Sequence, residues 1–275
     1  MPQINSILVL GKNERSRSII DYLRELTYQV TSGHLTGKGD HIITDDGSSC
    51  DCSAFAKFDI VILAGASHII TADCLRLPTY GFLTCHAGSV PEYRGSSPMN
   101  WSIINKERIF GLSVIQTALG IDVGDIHAQG RFDLAVDACI ADLHAIANAN
   151  FPYLVHTALL NIENSIPPVK QVTTGVGYYP LRDRLDSRVD FAQMTSEDVF
   201  ALFRSLVPLY PSPYFICDGR EYKILQVKMD YITKGVPAKI YRIVEDSIQV
   251  SCAQGSVWLK LESVEGLSRY QLIRD

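Results

Sequence analysis

The chain has 275 residues, 47% of them hydrophobic and 20% charged, which is ordinary globular composition and enough length for two domains. Its net charge of −5, without any run of lysines and arginines, disfavours a nucleic-acid partner. The seven cysteines form no Cys-x-x-Cys pair, so we expect reduced thiols and no metal site. With no signal-peptide pattern and no segment long enough to cross a bilayer, we expect a cytoplasmic protein without a membrane partner.

The first half of the chain alternates short apolar runs with helical patterns. Buried strands are predicted at 5–10, 59–64 and 80–85 and a shorter one at 28–31, whereas the polar stretch 32–57 is expected to be a loop. Helices are predicted near 19–26, after Thr71 as N-cap, and from Pro98 to about 105 with Ser97 as N-cap. Two extended segments follow, at 111–118 and 125–134, and then a long helix with apolar residues from Ile140 to Ile162 along one face. This alternation predicts an α/β fold with a mostly parallel sheet covered on both sides.

The pattern changes near residue 163. A linker-like stretch, 164–191, leads to one short helix at 196–206 that we expect Ser196 to cap. Asp218-Gly219 is typical of a hairpin turn, and alternating segments follow at 238–245, 246–252 and 256–264. These segments predict a small antiparallel barrel of about five strands.

An α/β chain that begins with a buried strand followed by a helix could bind a nucleotide at the turn between them. The turn after the first strand reads "GKNERS", residues 11–16, with one glycine where a dinucleotide fingerprint needs three. No Lys-Ser/Thr pair follows, as a phosphate-binding loop requires. The sequence therefore excludes the usual NAD and ATP motifs.

A different pair of residues could carry chemistry. His86 lies at the end of the predicted strand 80–85, and Asp122 lies in a tight turn, "LGIDVGDI", between two extended segments. Ligands of open α/β sheets bind beyond the carboxyl ends of strands, where a His and an Asp could form an acid/base pair. Alternatively, His86 only ends a strand and Asp122 only stabilises its own turn. On spacing alone both interpretations stand.

Two longer stretches carry a resemblance. They are "LTCHAGSVPEYRGSSPMNWSIIN", residues 83–105, and "GLSVIQTALGIDVGDIHAQ", residues 111–129. Their order and spacing are similar to the formyltetrahydrofolate-dependent formyltransferase family, whose pattern is Asn-x-His, a loop, Tyr-Arg-Gly, a helix and a later Asp-x-Gly. The likeness extends to 59–70 upstream and 178–229 downstream, and so to nearly the whole chain.

The resemblance implies a fold and a reaction. The fold is a Rossmann-like, mostly parallel formyltransferase domain at 1–180, with a linker helix and a small antiparallel OB-like barrel at 181–275. The reaction is transfer of a formyl group from the co-substrate 10-formyltetrahydrofolate to an amine, through a tetrahedral oxyanion. His86 would donate to that oxygen or relay a proton, and Asp122 would hold the imidazole.

The family's asparagine is replaced in this chain by Thr84. Side chains alternate along a strand, so 84 and 86 share a face, and Cys85 points away from it and is expected to be packing. We take Thr84 as the third catalytic residue, with a hydroxyl standing in for the amide. Two alternatives remain open: a weakened donor that slows transfer, or a folate-binding homologue with weak or lost turnover.

The resemblance also implies binding residues. Those expected around the pterin are Gly65, Ala66, Ser67, Val90, Leu119, Gly120, Val123 and Gly124. Those expected on the acceptor side are Arg94, Gly95, Asn100 and Trp101. His68 and His127 flank these elements, and for both we expect an ordinary polar role.

The acceptor is predicted from charge. The stretch 32–57 is short and acidic, with Asp45, Asp46 and Asp51. In the family that the chain resembles, the tRNA enzyme carries a longer, basic insertion in this half of its first domain, and its absence here argues against a tRNA acceptor. We expect a small amine, foremost a nucleotide-linked amino sugar, with a hydroxylated ornithine as another option. Methionyl-tRNA formyltransferase is the alternative. The sequence leaves open a homodimer and the role of the C-terminal barrel.

Overall fold

The computed structural model describes residues 3–36, 41–45, 47–65, 70–172, 174, 176–231 and 235–274. The chain forms two compact units. The first comprises Met1–Pro98, Ile109–Asp133 and His144–Pro180, and the second comprises Met99–Arg108, Leu134–Leu143 and Leu181–Asp275. The sequence-based division at residue 180 places Met99–Arg108 and Leu134–Leu143 in the first domain, whereas the structure groups both segments with the second unit. The domain limits drawn from the sequence stay a prediction.

The first unit is built on an eight-stranded sheet. Its strands, in chain order, are β1 (Ser6–Leu10), β2 (Gln29–Thr36), β3 (His41–Thr44), β4 (Ser49–Asp51), β5 (Ile60–Leu63), β6 (Phe82–His86), β7 (Ile109–Gln116) and β8 (Ile126–Asp133). Their order across the sheet is β4-β3-β2-β1-β5-β6-β7-β8. The central strands β2, β1, β5 and β6 are parallel, and the pairs at both edges are antiparallel. The predicted α/β fold class is confirmed, and the structure adds the antiparallel edges.

The helices are α1 (Glu14–Glu25), α2 (Ala72–Leu75), α3 (Pro98–Ile104), α4 (Ile140–Glu163) and α5 (Ser196–Leu206). A capping box between Asn13 and Ser16 begins α1, because each side chain bonds the other residue's backbone N–H. Thr71 precedes α2 as predicted, but its side chain makes no capping bond and contacts the Cys74 sulfur instead. No helix in the described parts of the chain is both long and apolar enough for a bilayer span.

The central strands have apolar side chains on both faces, as the continuous apolar runs predict. On one face the core contains Leu8, Leu10, Val61, Leu63 and Phe82, packed with Phe55 and Cys74. Alternation turns Ile7, Val9, Leu83 and Cys85 to the opposite face. α1 and α4 meet through Arg15, whose guanidinium lies 5.0 Å from the centre of the Phe151 ring.

The prediction of a loop at 32–57 is wrong. This stretch contains the second half of β2, the strands β3 and β4, and a 3-10 turn at Cys52–Lys57. β2 pairs antiparallel with β3 from Gly33↔Thr44 to Thr36↔His41, and Leu35, Ile42 and Phe55 are buried. The polar composition concealed these strands because three buried side chains and the backbone pairing suffice to fix them at the sheet edge. Of the acidic residues named above, Asp46 lies outside the described residues.

The second unit contains a five-stranded antiparallel sheet, as predicted. Its strands are β9 (Tyr214–Cys217), β10 (Arg220–Asp230), β11 (Ile240–Val244), β12 (Ser247–Ser251) and β13 (Ser256–Leu261), in the order β11-β12-β13-β10-β9. Asp218 and Gly219 form the predicted hairpin turn, with φ of 49° and 75°. The predicted cap of α5 is one residue off: Thr195 is the N-cap and exchanges bonds with Asp198 in a capping box, so Ser196 is the first helical residue.

Candidate active site

The strand β6 places the predicted catalytic residues at the sheet centre. Thr84 pairs with Leu63 of β5 and Ile115 of β7, and His86 is the last residue of the strand. Thr84 and His86 share the face of Phe82, and Cys85 points to the other. Burial raises the pKa of the Cys85 thiol to about 12, so it carries no thiolate at neutral pH. Cys85 therefore packs, as expected from alternation.

His86 and Asp122 are brought together. Nδ1 of His86 lies 3.4 Å from Oδ2 of Asp122, and the two side chains are 7% and 17% exposed. The same Asp122 oxygen accepts the Gly95 backbone N–H at 2.9 Å. Asp122 itself adopts the left-handed conformation, with φ of 50°, which Asp tolerates better than most residues. The carboxylate is thus fixed between a main-chain donor and the imidazole.

The other nitrogen of His86 is also engaged. Nε2 lies 2.6 Å from the Tyr93 carbonyl oxygen, to which it donates. Because a carbonyl oxygen and a carboxylate both accept, both ring nitrogens can donate at the same time only in the protonated ring. Tyr93 is held in place by its own backbone N–H, which donates to the Ser89 carbonyl, and by its ring stacked on Tyr179 at 5.1 Å.

Asp122 reaches His86 by a route that the sequence did not predict. We expected both residues to emerge at the carboxyl ends of neighbouring strands, but β7 is antiparallel to β6. The loop 117–125 begins where the Thr117 N–H donates to the Phe82 carbonyl, at the opposite end of β6. It must therefore run back along the strand for about 13 Å, four residues at about 3.3 Å each, to bring Asp122 to His86.

A glutamine holds this loop. The Nε2 amide of Gln171 donates to the carbonyls of Asp122 at 2.9 Å and Gly124 at 2.5 Å. Its Oε1 accepts two bonds from Arg94, at 3.0 and 2.6 Å. A Cβ on Gly124 would lie 1.6 Å from the Gln116 carbonyl oxygen, so this position requires glycine. The loop therefore has a fixed shape.

Arg94 is buried, with 4% exposure, and its guanidinium is bonded to Gln171. Its predicted contact with the acceptor stays a prediction, and in this structure it braces the Asp122 loop through Gln171. Gly95 has a defined reason to be glycine, because a Cβ there would lie 2.2 Å from the Tyr179 carbonyl oxygen. The Gly95 N–H donates a hydrogen bond to the Asp122 carboxylate.

Thr84 has a partner that sequence analysis missed. Its Oγ1 lies 2.8 Å from Oγ1 of Thr117, and both residues are half-buried. Thr117 is the first residue of the loop that carries Asp122. The loop thus contacts the same face of β6 twice, at Thr84 near its beginning and at His86 near its middle.

Polar side chains also support the 88–90 segment. Ser113, fully buried, donates to the Gly88 carbonyl at 2.7 Å and accepts from the Val90 N–H at 3.3 Å. Gln129 donates to the Val90 carbonyl at 3.1 Å. Val90 is 3% exposed and both its backbone groups are bonded, so it has little surface to offer a ligand in this structure. Its predicted pterin contact stays a prediction.

The remaining residues predicted around the pterin lie on two loops. Gly65 is exposed after β5, whereas Ala66, Ser67 and His68 lie outside the described residues. On the loop 117–125, Leu119 is 67% and Ile121 is 52% exposed, with Gly120 between them. Val123 is half-buried and Gly124 is buried. Exposed apolar side chains beside an immobilised polar pair fit an aromatic ring with polar edges, as folate has.

Two residues predicted on the acceptor side, Asn100 and Trp101, belong to the second unit. Nδ2 of Asn100 donates to the Ser205 carbonyl at 2.7 Å, and the Trp101 ring lies 5.4 Å below the Arg182 guanidinium. Both have structural contacts within that unit, and their role toward an acceptor stays a prediction. Within the described residues no group of three or more His, Cys, Asp or Glu side chains is arranged for a metal ion.

His127 is half-buried beside Gln116, and the ordinary polar role expected of it stays a prediction. Its Nε2 contacts Oε1 of Gln116 at 3.0 Å, and burial lowers its pKa, which keeps the ring neutral at neutral pH. Its backbone carbonyl accepts from the Asn161 side chain at 2.8 Å.

Comparison with known proteins identifies the family. The family described as "Formyl transferase" matches residues 50–149, and "Formyl transferase, C-terminal domain" matches residues 183–269, together more than half of the chain. A methionyl-tRNA formyltransferase of Clostridium tetani is 28% identical over 220 residues, which are 79% of this chain and 70% of that protein.

Solved structures share the fold. HypX from Aquifex aeolicus, in complex with tetrahydrofolic acid, superposes with a TM-score of 0.70 at 19% identity and covers 94% of this chain, which spans only 44% of HypX. An N-formyltransferase from Helicobacter canadensis, in complex with folinic acid and dTDP-3-aminofucose, superposes with a TM-score of 0.72 at 16% identity, covering 94% of this chain and 99% of that one. The chain belongs to the formyltransferase family, whose members are transferases that use 10-formyltetrahydrofolate as co-substrate.

Proposed function

We propose that this protein transfers the formyl group of 10-formyltetrahydrofolate to the amine of a small molecule, foremost a nucleotide-linked amino sugar. The observation that carries the proposal is the pairing of His86 with Asp122, 3.4 Å apart at the end of a central strand. Such a pair can exchange a proton with the reacting groups while an amine attacks.

The co-substrate, when bound, supplies an activated one-carbon group. The chain's own residues hold and move the proton. Asp122, fixed by the Gly95 N–H and by Gln171 at its backbone, orients the imidazole of His86. His86 exchanges a proton with the acceptor amine when Nε2 leaves the Tyr93 carbonyl. Thr84 faces the same side of β6 and offers a hydroxyl donor there.

The exposed apolar side chains near the His86–Asp122 pair indicate where the folate would bind. Leu119 and Ile121 present apolar side chains on the loop that carries Asp122, and Gly65 lies exposed after β5. A flat pterin has an apolar face that such side chains cover and polar edges that backbone groups pair with. We therefore assign the folate to the surface between the loop 117–125 and the end of β5.

Charge supports a small acceptor. The net charge is −5, and the described part of β2–β4 exposes Asp45 and Asp51. A tRNA needs lysines and arginines along its backbone path, and a small amine does not. A hydroxylated ornithine satisfies the same charge argument as an amino sugar, so both belong in the test.

One observation favours a second candidate, methionyl-tRNA as acceptor. The relative from Clostridium tetani is named a methionyl-tRNA formyltransferase, and so is one from Acetivibrio thermocellus, 26% identical over 205 residues. At this identity the shared family does not fix the acceptor. We place it second because of the acidic charge.

The deciding experiment offers 10-formyltetrahydrofolate with each acceptor in turn. Nucleotide-linked amino sugars, hydroxylated ornithine and initiator methionyl-tRNA are incubated with the purified protein, and mass spectrometry measures the gain of one formyl group. We expect a formylated small amine, and none with His86→Ala. Product from the tRNA alone would establish the second candidate. Binding of the folate without any product would identify a folate-binding homologue.

A further inference from the structure

The contact between Thr84 and Thr117 joins two hydroxyl groups, and neither has another hydrogen bond to the part of the chain that the structure describes. Their oxygens are 2.8 Å apart, a full-strength O–H···O distance, and both residues are half-buried. Thr84 lies on β6 two residues before His86, and Thr117 begins the loop that carries Asp122. The hydroxyl pair therefore lies on the face and the loop that form the candidate site.

The pair of hydroxyl groups has two protons, but the hydrogen bond between the two oxygens uses only one of them. The second proton has no acceptor among the described residues, since each hydroxyl makes this one hydrogen bond there. One O–H donor of the pair is therefore free for a ligand.

The neighbouring donors on this strand face are already used. Nε2 of His86 donates to the Tyr93 carbonyl, and Nδ1 faces the Asp122 carboxylate. The imidazole is 7% exposed, whereas both threonines are half-buried. Among the described residues, the hydroxyl pair therefore keeps a proton for a ligand carbonyl, whereas both nitrogens of the His86 ring face acceptors of the protein.

We propose that Thr84 and Thr117 act together as one hydrogen-bond donor to the formyl oxygen of the co-substrate. Thr117 donates to the Thr84 oxygen, which leaves the Thr84 proton for the ligand and strengthens that bond, because hydrogen bonds in a chain polarise one another. Thr84 is then a catalytic residue and Thr117 a positioning residue. The inference rests on the proposed function for the identity of the bound folate.

The test observes the formyl group directly, without an acceptor. 10-Formyltetrahydrofolate labelled with ¹³C in the formyl group is bound to the protein, and isotope-edited infrared spectroscopy records the carbonyl stretch. A hydrogen bond to the oxygen lowers this frequency, so Thr84→Val and Thr117→Val should each move the band to higher wavenumber. Thr117→Ser retains the hydroxyl and should restore the native position. Thr157→Val, on the exposed side of α4, is the matched control and should leave the band unchanged.

Binding gives a second readout. Thr117→Val should weaken binding of 10-formyltetrahydrofolate by about 3- to 10-fold, as for loss of one hydrogen bond, with tetrahydrofolate binding unchanged. An unshifted band in either valine variant overturns the inference and leaves the proposed function intact. Failure of the native protein to bind the formylated folate overturns both. Equal weakening toward both folates would assign Thr117 to general packing and also overturn the inference.

Discussion

At the end of β6 one imidazole lies between two oxygen acceptors, the Tyr93 carbonyl and the Asp122 carboxylate. The 2.6 Å contact to Tyr93 is the shorter, so the ring is held by the main chain at Nε2 and by a looser contact of 3.4 Å at Nδ1. An acceptor amine must compete with the Tyr93 carbonyl for Nε2. At the residue scale the reactivity of His86 therefore depends on its two fixed neighbours.

Asp122→Asn should impair proton transfer by His86 without destabilising the fold. Asn retains an oxygen for the Gly95 N–H, so the loop should stay in place, but it removes the carboxylate that faces His86. We expect kcat to fall by about 10²–10⁴-fold, with little change in Tm, measured by steady-state kinetics and thermal unfolding. Asp125→Asn, in the same loop, is the control for loss of one negative charge. Equal rates in the two variants would show that Asp122 has no special role.

Cys85 provides a second prediction at this scale. Its pKa of about 12 and its burial on the opposite face of β6 from Thr84 and His86 exclude it as a nucleophile. Cys85→Ala should leave kcat unchanged and cost roughly 1 kcal/mol of stability for the small cavity. In native protein at pH 8, iodoacetamide should leave Cys85 unmodified by mass spectrometry. Loss of activity in the alanine variant, with the fold retained, would contradict this assignment.

At the element scale the loop 117–125 determines the site. It is attached to β6 at Thr84 and His86 and to the chain beyond α4 at Gln171. The sequence predicted His86 and Asp122, since a strand end and a turn with Asp-x-Gly are local features. It could not predict Thr117 or Gln171, because their partners are 33 and 49 residues away and the pairing depends on an antiparallel strand.

The error at 32–57 has a different cause, because these strands pair with partners only 5 to 11 residues away. A strand with alternating apolar residues is recognised locally, but β3 and β4 have few apolar side chains and form by pairing along β2. Conversely, the strands β1, β5 and β6 are buried on both faces, and their continuous apolar runs predicted them correctly. Edge strands of this kind are fixed by backbone hydrogen bonds to the neighbouring strand, which leave little trace in composition.

Gln171→Leu tests the attachment of this loop. It removes two donors to the Asp122 and Gly124 carbonyls and the acceptor for the buried Arg94 guanidinium. A displacement of about 1 Å at Asp122 can cost about 10²-fold in rate, so we expect a drop in kcat of that order. The unpaired guanidinium should lower stability by about 1–3 kcal/mol. Gln193→Leu, at an exposed position of the second unit, is the control, and equal kinetics in both variants would contradict the proposed role of Gln171.

At the scale of the whole molecule the charge balance bears on the acceptor. The sequence has 30 acidic and 25 basic side chains, and several basic ones are already paired, such as Lys106 with Asp198 and Arg220 with Glu265. A polyanion would have to displace such partners as well as overcome the net negative field. A small amine with one or two phosphates faces a much smaller electrostatic barrier.

Salt dependence therefore distinguishes the two acceptors. Between about 50 and 200 mM salt, a protein that contacts many phosphates loses about 10³–10⁵-fold in affinity, whereas contact with one or two phosphates loses tenfold or less. We expect kcat/KM for the acceptor amine to fall by less than about tenfold over this range, and we expect no gel shift of initiator tRNA at the lower salt. A tRNA complex that forms at about 50 mM salt and dissociates at about 200 mM would reverse the ranking of the two acceptors. It would show that enough lysines and arginines lie along one surface to bind a polyanion despite the net negative charge.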